Sequence, residues 1–127
     1  MGALLAIARQ DERFAVTAEG WQVPVVHLAP IKTRQPDFVA VAERFLSAPY
    51  LCGGKTSLGL DCSGLVQVAL QAAGHTCPRD SDMQELALGT VSSLSQLRRG
   101  DLVFWKGHVA IARIKAADSD VTSVRRP

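Results

Sequence analysis

The most constraining stretch of this chain is a glycine-bearing loop that feeds straight into a helix. Tyr50–Leu60 contains Gly53, Gly54 and Gly59 and reads as loop. Asp61-Cys62-Ser63-Gly64 follows it, and then Leu65, Val66, Ala69, Leu70 and Ala73 recur at the spacing of one helical face. Asp61 suits the N-cap, because its carboxylate can accept the unpaired N–H groups of a first turn, and Gly74 suits the position just past the end. The sequence therefore predicts a helix over residues 62–73 whose first turn carries a cysteine.

The neighbouring segments organise around that helix. Pro36–Leu46 reads as another, with Phe38, Val41, Ala42 and Phe45 on one face, Pro36 in its first turn and Pro49 beyond its end. A short helix is expected over about Asp82–Leu88, with Ser81 and Gln84 in a capping-box pattern. Leu102–Trp105 and His108–Ile114 read as two strands joined by Lys106-Gly107. Upstream, Ala3–Ala8, Phe14–Ala18 and Trp21–Val26 read as three short strands, and the proline-bearing stretch that follows reads as a linker. Helices before strands point to an α+β class. The expected organisation is a β module over 1–30, a linker over 31–36, a main domain over 37–114 and a divergent tail over 115–127. Ala116–Pro127 lacks periodic apolar content and reads as frayed, although two strands alone make a marginal sheet.

Composition removes several classes. With 47% hydrophobic and 20% charged residues, the chain is neither a disordered tail nor a coiled coil. Its apolar runs are too short to span a bilayer as a helix. From Arg113 onward there are four basic and two acidic residues, so the net charge of +2 resides there and residues 1–112 are neutral. No nucleic-acid partner is expected of a neutral body. Cys52, Cys62 and Cys77 are odd in number and form no C-x-x-C pair, so neither a disulfide framework nor a metal site is expected, nor any cofactor. The apolar start lacks a basic n-region and is interrupted by Arg9, Asp11, Glu12 and Arg13. It reads as a strand, and free thiols then favour a reducing, cytoplasmic setting.

The chemistry concentrates at Cys62. A helix N-terminus carries partial positive charge and favours thiolate, the nucleophile of acyl transfer. Gly64 allows close backbone approach, and the N–H groups of that turn are placed to hold an oxyanion. Asp61 opposes the thiolate electrostatically, so it must either cap the helix or bind a cation. A buried cysteine in a capped helix is the plain alternative. His108 opens a strand after a tight turn, where a neutral imidazole can take a thiol proton. Singly, such a histidine is more often structural. Together, Cys62 and His108 follow the logic of papain-like enzymes. Other signals are discounted. Gly54-Lys55-Thr56 lacks the upstream glycine of a P-loop. His75 and Cys77 make only two ligands, and His27, Trp21 and Trp105 read as structural.

Five blocks carry a family resemblance: Pro49–Gly54, Asp61–Gln67, Pro78–Gln84, Gly100–Trp105 and Gly107–Ile111. In this order and spacing they resemble the NlpC-type cell-wall cysteine peptidases over roughly Asp37 to Arg113. Gly20–Pro24 and His27–Pro30 resemble the last strands of a bacterial SH3-like module. The resemblance implies a papain-like fold, Cys62 as nucleophile and His108 as base. It implies that Tyr50, Asp61 and Ser63, with Asp80 and Ser81 nearby, line the subsite for a free N-terminal L-alanine. Asp61 would then pair with the substrate ammonium. The implied substrate is a peptidoglycan stem peptide, cut between γ-D-glutamate and a diamino acid, as in cytoplasmic muropeptide recycling.

Three positions depart from that family pattern. Cys52 stands where the family has tryptophan in the pocket wall. The third catalytic group, commonly a histidine on the next strand, falls at Asp120 without an apolar strand around it; Asp118 is the other substitute. The SH3-like part begins midway. A truncated, impaired homologue that only binds stem peptides is therefore the rival reading, and a different acyl chemistry on the same scaffold is a third.

Overall fold

Helix α2, Cys62–Ala72, begins where the Asp61 side chain accepts the Gly64 N–H. It ends in a Schellman arrangement: Gly74 takes φ +91, His75 donates to the Leu70 carbonyl and Gly74 donates to that of Gln71. The computed structural model describes residues 3–113 and 123–127, and the chain divides into two units, residues 2–34 and residues 35–127.

In the larger unit, helix α1 (Phe38–Glu43) is capped by Asp37, whose carboxylate accepts from the amides of Val39 and Ala40. Pro36 therefore precedes the cap rather than entering the first turn. Val41 and Ala42 pack on Ala69 of α2, and Phe45 packs with Leu60 and Val68. The expected loop before α2 contains a small hairpin, β4 (Lys55–Thr56) with β5 (Gly59–Leu60). Helix α3 spans Ser81–Ala87 with Asp80 at its N-cap. The expected Ser81–Gln84 capping box does not form, because Gln84 turns inward and gives its amide to buried carbonyls.

A four-stranded antiparallel sheet completes the unit, in the order β6-β9-β7-β8. Its central strand β7 (Leu102–Trp105) is apolar throughout because both faces are covered. Leu102 and Phe104 join Val66 and Leu70 of α2 and Val109 of β8 in the main core. Val103 packs on the opposite face with Leu97, Ala112 and Val124. Strand β8 (His108–Ile111) returns through a two-residue turn in which Gly107 takes φ +75, and Trp105 pairs with His108.

The tail requires a correction. Ser123–Arg126 is strand β9 and not a frayed end. It lies between β6 (Thr90–Ser92) and β7, pairing Val124 with Ser92 and with Val103. Its anchor is electrostatic: Arg126 donates Nε–H to Asp101 Oδ1 and Nη2–H to Oδ2, each at 2.7 Å. Asp101 is only 1% exposed and also accepts the Arg98 amide at 2.9 Å. Arg126 Nη2 further donates to the Gln96 carbonyl. The Arg126 carbonyl occupies the space that a Cβ on Gly89 would need, so β9 and the turn before β6 fit only with glycine there.

The smaller unit is a three-stranded antiparallel meander of β1 (Ile7–Gln10), β2 (Phe14–Thr17) and β3 (Gln22–Pro24). Along β2, Ala15 and Thr17 are buried. β2 and β3 fall within their expected runs, whereas β1 overlaps the expected Ala3–Ala8 only at Ile7 and Ala8 and continues through Arg9 and Gln10. No helix among the described residues is long and apolar enough to cross a membrane.

Asp101→Ala leaves the Arg98 amide and the Arg126 guanidinium without their acceptor. Unfolding in urea should then show a lower midpoint at unchanged slope, a loss of about 2 kcal/mol, as for removing a buried acceptor whose cation partner stays partly in solvent. A midpoint equal to that of the parent chain would show that β9 is held without this pair.

Candidate active site

Cys62 occupies the first helical position of α2 and is half-buried; His108 opens β8 and is exposed. Both line one cavity of about 350 Å³. Tyr50 and Asp61 line it too. The neighbouring Cys62 sulfur raises the Tyr50 phenol above its ordinary range, with Asp61 adding to the effect. The Trp105 ring lies 6.0 Å from that of His108, tilted by 46°.

Asp61 is the most heavily engaged group at this site. Its Oδ1 accepts from the Gly64 amide at 2.7 Å and from Arg79 Nη1 at 2.9 Å. Its Oδ2 accepts from the Gly53 amide at 2.8 Å and from Arg79 Nη2 at 2.7 Å. The Arg79 guanidinium, with the two amides, overcomes the cost of burial and pushes the carboxyl down to about 2. Arg79 Nη1 also donates to Ser63 Oγ at 2.9 Å. Asp61 thus caps the helix and binds a cation at once, and the cation is an arginine of the same chain. That assignment was missed from sequence, although an acidic cap beside a nucleophile already called for a cation, and Arg79 sits in one of the five blocks.

Close packing of backbone holds this corner together. Leu51 N–H donates to the Leu60 carbonyl and Asp61 N–H to that of Gly54. A Cβ on Gly64 would lie 2.5 Å from the Gly54 carbonyl oxygen, so the loop can pass over the helix start only with glycine at 64. Cys52 is exposed, in the turn that Gly54 N–H closes onto the Leu51 carbonyl.

The other expected residues are distributed as follows. Ser63 is buried behind the nucleophile, within the Asp61–Arg79 cluster. Asp80 is exposed and raises the neighbouring Arg79 electrostatically; Ser81 is half-buried at the start of α3. Neither of the last two is on the cavity wall. Asp118 and Asp120 lie outside the described residues. Strand β9 pairs with β6 and β7 and not with β8, so it brings no side chain onto the His108 strand by pairing. Val39, Leu46 and Leu65 also line the cavity, with Glu43 and Arg113, which form a 2.9 Å ion pair. Among the described residues no three His, Cys, Asp or Glu side chains converge as metal ligands.

Residues 47–115, more than half of the chain, match the NlpC/P60 family. This chain belongs to that family. A dipeptidyl-peptidase 6 of Lysinibacillus sphaericus is 37% identical over 73 residues, which are 58% of this chain and 27% of the relative. A gamma-D-glutamyl-L-lysine dipeptidyl-peptidase of Bacillus subtilis is 34% identical over 84 residues, 66% of this chain and 28% of the relative. The chain thus spans under a third of either relative. The crystal structure of an NlpC/P60 family protein from Bacillus cereus superposes with a TM-score of 0.78 at 23% identity. That match covers 96% of this chain and 53% of the other, and it establishes a shared mixed helix-and-sheet fold.

Engagement of Asp61 makes stability depend on acid in a definite direction. Its folded value lies near 2 against an ordinary 3.8, so its contribution is complete above the ordinary value and disappears as pH falls from there through about 2. In urea unfolding, the gap between the parent chain and Asp61→Asn should be constant from pH 7 to about 5 and close between pH 4 and 2. A gap independent of pH would contradict this origin.

Proposed function

We propose that this NlpC/P60 chain is a cysteine peptidase that hydrolyses the γ-D-glutamyl–diamino acid bond of peptidoglycan stem peptides. The observation that carries this reading is that Cys62 and His108, distant in sequence, line one cavity beside the Asp61–Arg79 cluster. The relative named gamma-D-glutamyl-L-lysine dipeptidyl-peptidase supports the bond class.

In this mechanism the Cys62 thiolate attacks the γ-glutamyl carbonyl. The first N–H groups of a helix have no intrahelical partner, and those at the start of α2 that Asp61 does not hold receive the developing oxyanion. His108 takes the thiol proton and returns it to the leaving amine of the diamino acid. Water, deprotonated by His108, then attacks the thioester and frees the γ-glutamyl product and Cys62.

Substrate anchoring follows the charges at the other side of the nucleophile. Both Asp61 oxygens are occupied by donors, and Arg79 balances their charge, so Asp61 offers an ammonium less than a free carboxylate would. Asp80 is an exposed carboxylate next to Arg79. Our reading divides the anchoring of the free L-alanine amine among Tyr50 and Asp61 on the cavity wall, Ser63 in the Asp61–Arg79 cluster, and Asp80 and Ser81, which follow Arg79 in the chain. All three cysteines are free, consistent with a reaction in the cytoplasm. Residues 1–30 are read as the end of an SH3-like module.

The test is mass analysis of L-Ala-γ-D-Glu-diaminopimelate after incubation with the protein. The parent chain should release the L-Ala-γ-D-Glu dipeptide, and Cys62→Ala should release none; equal turnover by the two ends the proposal. Asp80→Asn should raise KM about tenfold with little change in kcat, the sign of lost ground-state anchoring.

A further inference from the structure

Gln84 is fully buried, at 0% exposure, on the inward side of α3. A buried amide is costly unless its donors are used, and an apolar side chain would fill the same space at less cost. Its donors are used, and on two separate segments. Nε2 donates to the Ser63 carbonyl at 2.9 Å and to the Pro78 carbonyl at 3.0 Å. Ser63 directly follows Cys62 in the first turn of α2, and Pro78 directly precedes Arg79, whose guanidinium forks onto Asp61. The adjacent Cys77 carbonyl is held in the same way by Gln67 of α2, from Nε2 at 2.9 Å.

We propose that Gln84 is a positioning residue of the active site. It sets the spacing between the Cys62 sulfur, with its neighbour Asp61, and the segment that carries Arg79 and Asp80. The Asp61–Arg79 fork, the Gln67 bond to Cys77 and the Gln84 bridge are three ties between α2 and the 77–80 segment, and Gln84 alone among them reaches from a third element, α3. The fork is ionic and half-open, with Arg79 side-chain exposure of 29%. The bridge is buried and joins backbone carbonyls, so it governs how far the two segments can slide. A substrate whose amine is anchored at the cluster presents its γ-carbonyl to Cys62 only at one such spacing. Loss of the bridge leaves anchoring intact and displaces the carbonyl, which lowers the rate of bond formation and not the affinity.

The inference rests on the anchoring geometry proposed above, and it is tested without requiring turnover. An L-Ala-γ-D-Glu chloromethyl ketone, with its electrophilic carbon beside the γ-carbonyl, reports anchored attack by Cys62. Iodoacetamide labelling, read at Cys62 by peptide mass mapping because Cys52 is also free and exposed, reports the same sulfur without anchoring. In Gln84→Met, the limiting alkylation rate by the anchored probe should fall about tenfold. Its half-saturating concentration should stay within about twofold, and the iodoacetamide rate should match the parent chain. Gln84→Asn, whose shorter amide spans one carbonyl, covers the case in which the methionine variant does not fold, and its limiting rate should fall about threefold. A limiting rate equal to the parent's overturns the inference. So does a parallel loss with both reagents, which would mean a general structural role. Hydrolysis of the tripeptide by the parent chain is measured alongside. Its absence with anchored labelling intact would sink the hydrolase reading alone.

Discussion

Four N–H donors converge on the Asp61 carboxylate from three separate segments of the chain. Gly53 comes from the loop, Gly64 from the first turn of α2, and Arg79 from the segment before α3. A carboxylate this enclosed is costly to bury without such company, and the helix dipole and the guanidinium supply it. The consequence is geometric. The loop bearing Tyr50, the helix bearing Cys62 and the segment bearing Asp80 are tied to one point, so the cavity wall on that side is built as a unit. The same arrangement answers why an acidic residue is tolerated directly before a thiol nucleophile: its charge is spent on Arg79.

The opposite wall depends on a different kind of constraint. His108 reaches the cavity because β7 is buried on both faces and β8 can only return beside it, through a turn of two residues. β7 in turn is paired on its other side by β9, which Arg126 fastens to Asp101. The nucleophile thus belongs to a locally determined helix, whereas the histidine belongs to a sheet assembled from distant strands. Gln84 bridges backbone on the nucleophile's side alone, where it complements the ionic fork rather than duplicating it.

Local physics explains which elements were legible beforehand. α2 announces itself through an N-cap, an apolar stripe and a terminal glycine, and its observed ends agree with those signals. The β7–β8 hairpin is similarly readable from two apolar runs and a Lys-Gly turn. Strand β9 is not, because Ser-Val-Arg-Arg has a single apolar residue and gains its place from ladder pairing and one ion pair to the buried Asp101. The α3 cap misled for a related reason. Ser81 and Gln84 have capping-box spacing, but two buried carbonyls claim the glutamine amide, and tertiary demand outweighs a surface cap.

The amino-acid order alone determined the cysteine at a capped helix start, the histidine at the head of a strand, and the α+β succession of elements, because caps, apolar stripes and tight turns act within a few residues. Tertiary structure alone decided that Cys62 and His108 share a cavity, that Asp61 is bound by Arg79, and that the last residues form an inner strand. Those outcomes depend on which charges and backbone groups are removed from water together. Contacts between distant segments settle that, and no short-range pattern records it.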